Sequence, residues 1–162
     1  MQTAILTNDY RCSIAAKTSA KEAFEKICDV SGWWTTDFEG NARKADDIFI
    51  VTFGETFATF KIEEAVPYKK IVWYVMDCNL HWLKDKKEWE GTRVIWEITA
   101  GDHSTKIEMT HQGLVPEVEC YTNCESGWNR YIKESLFKLL TENKGMPVIA
   151  GSSAGSSDKR SA

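Results

Sequence analysis

Three histidines, five cysteines and a few carboxylate pairs are the side chains in this sequence that could do chemistry. His111 closes a run in which Thr105, Ile107, Met109 and His111 alternate with Lys106, Glu108, Thr110 and Gln112. That period of two puts the imidazole on the covered face of a strand. There it needs partners for its ring nitrogens and can act as acid, base or anchor. The favoured reading is a hydrogen-bonded structural histidine that orients the turn into Gly113. His81 lies in a long connection and His103 in a Gly-Asp-His-Ser turn, both surface settings. Cys120 and Cys124 would share a helix face, and His111 precedes Cys120 by nine residues. Spacing therefore allows a Cys/Cys/His site. Cys12, Cys28 and Cys78 are scattered, and no C-x-x-C pair exists, so buried free thiols are expected rather than a metal centre.

The carboxylates have structural explanations. Asp46 and Asp47 precede a strand and belong to a turn. Glu63 and Glu64 sit near a strand end, where one of the two must face water. Glu117 and Glu119 flank the start of the last helix, where negative charge suits the helix dipole. There is no G-x-S-x-G, no phosphate-cradling glycine loop and no H-E-x-x-H. An enzyme is the less favoured reading, and no cofactor is expected.

The elements that must position these groups follow from periodicity. Residues 3–16 read as a first strand. Ser19 to Glu22 form a capping box, followed by Ala23, Phe24, Ile27 and Cys28 on one face of a short helix. The segment Ser31 to Thr35 predicts a second short helical turn carrying Trp33 and Trp34. Strands are predicted at 48–54, 56–65, 70–77, 92–100 and 104–112, with a short one near 37–43. Gly54, Pro67, Gly91 and the Gly101-Asp102 pair supply the turns. Thr122 to Glu125 reads as another capping box. Behind it Cys124, Trp128, Tyr131, Ile132, Ser135, Leu136, Leu139 and Leu140 make one apolar stripe, ended by Gly145 and Pro147. About 21 residues at 1.5 Å each give roughly 31 Å, enough to cross a sheet. The fold class is α+β, with one long helix in the concave face of a curved antiparallel sheet.

Composition narrows the partners. The 162 residues hold 7 Trp, 43% apolar side chains and a net charge of −4, enough for one sizeable core. With no basic stripe, nucleic acid is excluded as a partner, and with no long apolar run, so is membrane insertion. The opening MQTAILTNDY lacks a basic and then apolar leader, so a cytoplasmic location is expected. Residues 1–149 read as one domain and 150–162, small and polar, as a disordered tail.

Three motifs then combine: Trp33-Trp34-Thr35, Thr110-His111-Gln112-Gly113-Leu114, and Gly127-Trp128 with Tyr131. Together, over roughly residues 3–147, they resemble the family of homologues of the activator of the 90-kDa heat-shock-protein ATPase. That family belongs to the START-like (SRPBCC) superfamily, which has the helix-grip or Bet v-type fold. The superfamily includes lipid carriers, hormone-binding proteins and aromatic polyketide cyclases, so fold alone does not set function. The resemblance implies two short helices after the first strand and a deep, mostly apolar cavity between sheet and long helix. The eukaryotic activators carry a separate N-terminal domain that contacts the chaperone. A chain of this length has no room for it, which lowers the expectation of chaperone activation.

The residues expected around the cavity are Trp34, Phe60, Trp73, Trp96, Met109, His111, Trp128 and Tyr131. The connection from Asp77 to Glu90 is long for a hairpin, and its Leu80, His81, Trp82 and Trp89 are expected to fold over the mouth as a lid. His81 and Trp82 complete the expected ligand-binding set. The leading functional expectation is an apolar or aromatic small molecule or lipid bound without covalent chemistry. A chaperone-linked or stress-related interaction module is the alternative. A cavity enzyme of cyclase or dehydratase type, with His111, His81 or Tyr131 as acid or base, is a third.

Overall fold

The period-two segments all become strands of one sheet in the computed structural model, which describes residues 8–149. The elements run β1 (Tyr10–Ala16), α1 (Ala20–Cys28), α2 (Val30–Trp33), β2 (Phe38–Gly40), β3 (Ile48–Phe53) and β4 (Thr56–Val66). Then come β5 (Lys70–Asn79), β6 (Arg93–Ala100) and β7 (Thr105–Gln112). A continuous helix completes the order in three parts: α3 (Tyr121–Arg130), a π-helical stretch (Tyr131–Leu136) and α4 (Phe137–Glu142). Strand order is β1-β7-β6-β5-β4-β3-β2, antiparallel throughout. With its 22-residue C-terminal helix, this is the helix-grip fold. Residues 3–7 of the expected first strand and the expected tail 150–162 lie outside the described residues. Among the described residues no helix is long and apolar enough to cross a membrane.

The covered face is the one the alternation predicts. Val94, Trp96 and Ile98 of β6 and Thr105, Ile107, Met109 and His111 of β7 are buried. Two bulges in the β4–β5 ladder change the phase elsewhere. On β5 the inward residues are Ile71, Trp73 and Val75, and after Met76 the phase passes to Cys78, with Leu80 buried just beyond the strand end. On β4 the extra residue is Glu63, so Glu63 and Glu64 are both exposed, where simple alternation sends only one to water. Glu63 then accepts from Nε and Nη2 of the Arg93 guanidinium, at 2.7 and 3.1 Å.

Ser19 caps α1 as its position predicts, its hydroxyl accepting from the Glu22 N–H at 3.0 Å. The second expected capping box does not form. The long helix begins at Tyr121 with Cys120 as its N-cap and no side-chain cap of its own, because a glutamate from a distant loop supplies the acceptors.

Every residue of the predicted apolar stripe, from Cys124 to Leu140, is buried. In a regular α-helix, steps of four residues drift by about 40° each, so such a stripe would leave the core before Leu140. The wider i→i+5 turns of the π stretch unwind the helix and cancel that drift. Ser135 in this stretch ties down the chain beyond the helix end. Its hydroxyl donates to the Trp33 carbonyl at 2.6 Å and accepts from the Met146 N–H at 2.7 Å. Val148 then pairs alongside Thr35, with bonds from Thr36 N to Val148 O and from Val148 N to Trp34 O.

Candidate functional site

His111, at the end of β7, joins three elements through one ring. The Trp128 indole N–H of α3 donates to His111 Nδ1 at 3.0 Å. An indole can only donate, so Nδ1 is the acceptor and the ring proton is assigned to Nε2. That N–H faces Thr92 Oγ1 at 2.9 Å, and the Thr92 hydroxyl donates in turn to the Trp89 carbonyl at 2.6 Å. Trp89 packs edge-on to the imidazole, with centroids 4.7 Å apart, and lies parallel to Trp128 at 5.9 Å. Burial pushes the His111 pKa down to about 3, so the ring is neutral at ordinary pH.

The same geometry explains the rest of the motif. Gly113 has φ +103°, and a Cβ there would come within 2.7 Å of Thr92 Cγ2. Only glycine takes that backbone conformation without strain while allowing the threonine to reach the ring. Leu114 is buried, and its carbonyl accepts from the Tyr10 N–H at 2.8 Å, closing β1 onto β7. The segment Thr110 to Leu114 thus joins sheet, loop and helix.

Beside this junction the interior is aromatic. Trp33 and Trp34 are followed at once by Thr35, whose hydroxyl accepts from the Asp37 N–H and fixes the exit toward β2. Both rings lie nearly parallel to Trp73 of β5, with interplanar angles of 14° and 7°. Trp96 of β6 meets Trp73 and Trp33 edge-on at 5.3 and 5.6 Å. Trp34 touches Trp128 at 4.9 Å and Tyr131 at 6.1 Å. Phe49 and Phe60 extend the cluster along β3 and β4, each within 5.3 Å of Trp73. The resemblance implies a deep cavity here, yet these rings are in mutual contact. The clefts of about 630 and 650 Å³ lie elsewhere. One is lined by Lys26, Asp29, Arg43 and Asp47, the other by Lys61, Glu63, Tyr74 and Met76.

One polar feature of the cluster is unbalanced. Trp33 donates to the Ile27 carbonyl and Trp128 to His111. The indole nitrogens of Trp34, Trp73, Trp82 and Trp96 are buried with no hydrogen-bond partner, while that of Trp89 lies against the Cys124 thiol. A buried donor left unmade costs on the order of 1–3 kcal/mol.

The connection from Leu80 to Thr92 covers one end of the cluster. Leu80, Leu83 and Trp89 are buried, while His81 is exposed and faces Glu55 at 3.6 Å. Trp82 is partly buried against the core. The loop is fastened by two carboxylates. Glu88 accepts from the amides of Glu119 and Cys120 at 2.7 and 2.9 Å. Glu119 accepts from the amides of Lys84 and Asp85 at 3.1 and 3.2 Å, and these bonds hold its carboxyl below the usual range. Lys86 closes the loop on itself through the carbonyls of His81 and Leu83.

Of the expected site residues, the fold brings Trp34, Phe60, Trp73, Trp96, Met109, His111, Trp128 and Tyr131 into one buried group. His81 is not among them, and Trp82 reaches only its edge. The five cysteines are free and buried. Burial pushes the Cys124 thiol up, with Cys120 and the Trp89 indole beside it. Among the described residues no three His, Cys, Asp or Glu side chains are placed to hold a metal ion. Sequence reasoning missed Thr92, Glu88 and the capping role of Glu119. Each acts across more than 15 residues of sequence, and periodicity carries no such signal.

The comparisons with known proteins agree with this geometry. The dimeric Aha1 of Colwellia psychrerythraea superposes with a TM-score of 0.70 at 20% identity, covering 85% of this chain and 98% of that one. DynU16, from the dynemicin biosynthetic locus, gives 0.61 at 16% identity, covering 85% of this chain and 49% of that one. CalU16 from Micromonospora echinospora gives 0.58 at 12%, covering 77% and 71%. At these identities the likeness is one of fold. No curated protein sequence matches the chain significantly. Residues 22–141 match the family described as Activator of Hsp90 ATPase homolog 1-like protein, a span that holds the junction at His111 and the whole ring cluster, and the chain belongs to that family.

Proposed function

We propose that this protein binds an apolar or aromatic small molecule among the rings gripped between sheet and long helix, without covalent chemistry. The observation that carries the reading is the set of buried indole N–H groups with no acceptor. A core evolved only to pack has no use for donors it cannot satisfy, whereas a binding interior uses them to orient a guest. The ligand enters by displacing the loop from Leu80 to Thr92, which withdraws Trp89 from Trp128. Trp34, Phe60, Trp73, Trp96, Met109, Trp128 and Tyr131 then form the wall, with Trp82 at the rim. His111 anchors this arrangement. Both of its nitrogens are engaged, which speaks against an acid–base role. The test is native mass spectrometry of the purified protein, with titration of lipids, fatty acids and aromatic compounds followed by tryptophan fluorescence. A retained small molecule or saturable quenching is expected. Absence of both at micromolar concentration would sink the proposal.

A second reading, a chaperone-linked interaction module, draws support from the family and from Met76, 41% exposed beside Tyr74 on the solvent side of β5. Pull-down with the 90-kDa chaperone and an ATPase assay test it. Stimulation is expected, and no binding at micromolar concentration discards it.

A further inference from the structure

We infer that a cleft outside the ring cluster, between α1, the loop of residues 41–47 and the β4–β5 turn, is a separate binding site for a small planar aromatic that carries a carboxylate. None of its lining residues belongs to the ring set proposed above, so it is independent of the interior reading. The cleft encloses about 290 Å³, space for a small ring system rather than a lipid. Its apolar lining includes Phe24, Pro67 and Tyr68, and its charged groups are Glu25, Arg43 and Lys44.

Tyr68 supplies an aromatic wall at a conformational cost. The Lys69 N–H donates to the Val66 carbonyl at 2.9 Å, Pro67 fills the first central position of the turn, and Tyr68 has φ +67°. This is the left-handed position of a type II turn, which glycine or asparagine takes with least strain. The ring is nevertheless 44% exposed and stands edge-on to Phe24, with centroids 5.8 Å apart. That contact uses only part of the ring, and the remainder is open for a second flat ring to stack on. A strained backbone that holds an exposed aromatic in place marks a contact surface.

Arg43 and Lys44 set the sign of the partner. Asp47 Oδ2 accepts from both of their backbone amides, at 3.1 and 2.9 Å. The loop is also tied to β4, the Asp46 N–H donating to the Ile62 carbonyl and the Ile62 N–H to the Asp47 carbonyl. Two exposed cations thus project from a fixed backbone, and neither side chain forms a hydrogen bond or ion pair among the described residues. The Cys28 thiol, which feels the charge of Arg43, is pushed up to about 11 by burial and stays neutral. Glu25 is the one acid against the two bases of this cleft. The larger cleft beside it adds Lys26 but also Asp29 and Asp47, which leaves it balanced. An anion therefore belongs in the smaller cleft, where the planar fork of Arg43 matches a carboxylate in shape as well as charge.

Naphthoate, its neutral isostere naphthamide and the non-planar cyclohexane carboxylate test the site, with binding followed by two-dimensional amide NMR. Naphthoate is expected to shift the amides of residues 24, 43, 44 and 68 saturably. Naphthamide is expected to bind about tenfold more weakly, the worth of two partly exposed cations. Cyclohexane carboxylate, which cannot stack, should also be weaker than naphthoate. The double variant Arg43→Gln with Lys44→Gln keeps the backbone bonds to Asp47, and should bring naphthoate down to naphthamide while leaving naphthamide unchanged. Tyr68→Asn should weaken both naphthyl probes in parallel while the protein stays folded by circular dichroism. Equal binding of naphthoate and naphthamide, shifts confined to the ring cluster, or undiminished naphthoate binding in the folded double variant overturns the inference. So does the absence of any saturable shift with millimolar naphthoate. The interior reading stands or falls separately, on its own tryptophan fluorescence titration.

Discussion

Glu88 and Glu119 each hold the backbone of the segment to which the other belongs. Glu88 in the loop receives the amides of Glu119 and Cys120, and Glu119 receives those of Lys84 and Asp85. The long helix therefore has its start defined by a residue more than 30 positions earlier, and the loop is tied to the helix it covers. Glu88→Ala is expected to lower stability by about 1 kcal/mol, in the range of a lost helix cap. Hydrogen exchange should quicken at residues 119 and 120 in that variant, and at 84 and 85 in Glu119→Ala. Unchanged protection at those amides would refute the clasp.

Acid should weaken the same clasp. The folded pKa of Glu119 is depressed by the amides of Lys84 and Asp85. Its contribution is present above the unfolded carboxylate value and is lost as pH falls through the folded one. Loop exchange at residues 84 and 85 is expected to rise on acidification in the native protein and to be flatter with pH in Glu119→Gln.

His111 gives a second, distinct pH dependence. The folded ring titrates near 3 instead of its ordinary 6.5, so below pH 6.5 the unfolded chain binds a proton that the native chain does not. Stability is complete above 6.5 and falls with acid by at most about 1.4 kcal/mol per pH unit. His111→Phe is expected to remove that slope between pH 6.5 and 5, above the main carboxylate range, while costing on the order of 2–4 kcal/mol by stranding the Trp128 N–H and the Thr92 hydroxyl. Urea melts at several pH values decide the matter. An equal slope in both proteins would rule the buried neutral ring out as its source.

Gly113 and Gly54 make a controlled pair. Both have positive φ, +103° and +67°, but a Cβ at 54 meets nothing within 4 Å while one at 113 strikes Thr92. Gly54→Ala is expected to cost about 1 kcal/mol of backbone strain. Gly113→Ala should cost at least about 2 kcal/mol, because the clash also moves Thr92 from His111. Equal losses in thermal melts would mean that Thr92 yields freely.

Ser135→Ala removes a donor to Trp33 and an acceptor for Met146 in one step. A loss of about 1–3 kcal/mol is expected. Faster exchange at the Met146 and Val148 amides should accompany it. Slow exchange there in the variant would show that the pairing with Trp34 and Thr36 holds the segment unaided.

Strands and stripe were legible in the sequence because burial on one face leaves a periodic trace. The inward set on β7, the stripe from Cys124 to Leu140 and the cap at Ser19 all fall where periodicity or local chemistry puts them. The features that escaped depend on contacts between distant segments. Thr122 and Glu125 look like a cap, but Glu88 supplies the acceptors, and the Glu125 carboxylate faces Tyr121 Oη instead. The extra residue at Glu63 put both glutamates in water, and no pattern of alternating residues announces a bulge. For the site, large aromatics at inward positions identified most of the ring cluster. Their fit against one another is a property of the assembled interior, so the sequence left open whether that space is empty or filled, and the cavity was implied by the resemblance alone. His81 was grouped with its apolar loop neighbours, but it points outward to Glu55.

The π stretch makes the long helix two lengths of helix set in different rotational phase. Removing a single residue, such as exposed Lys133, would let the turns revert to regular α geometry with their hydrogen bonds intact. The part beyond it would then keep its facing, Leu139 and Leu140 still toward the core, because the wide turns had already absorbed about one residue's rotation of roughly 100°. Within this segment a one-residue deletion at Lys133 is therefore compatible with the buried stripe, whereas regular α turns at the full residue count would carry Leu139 and Leu140 about 100° toward water.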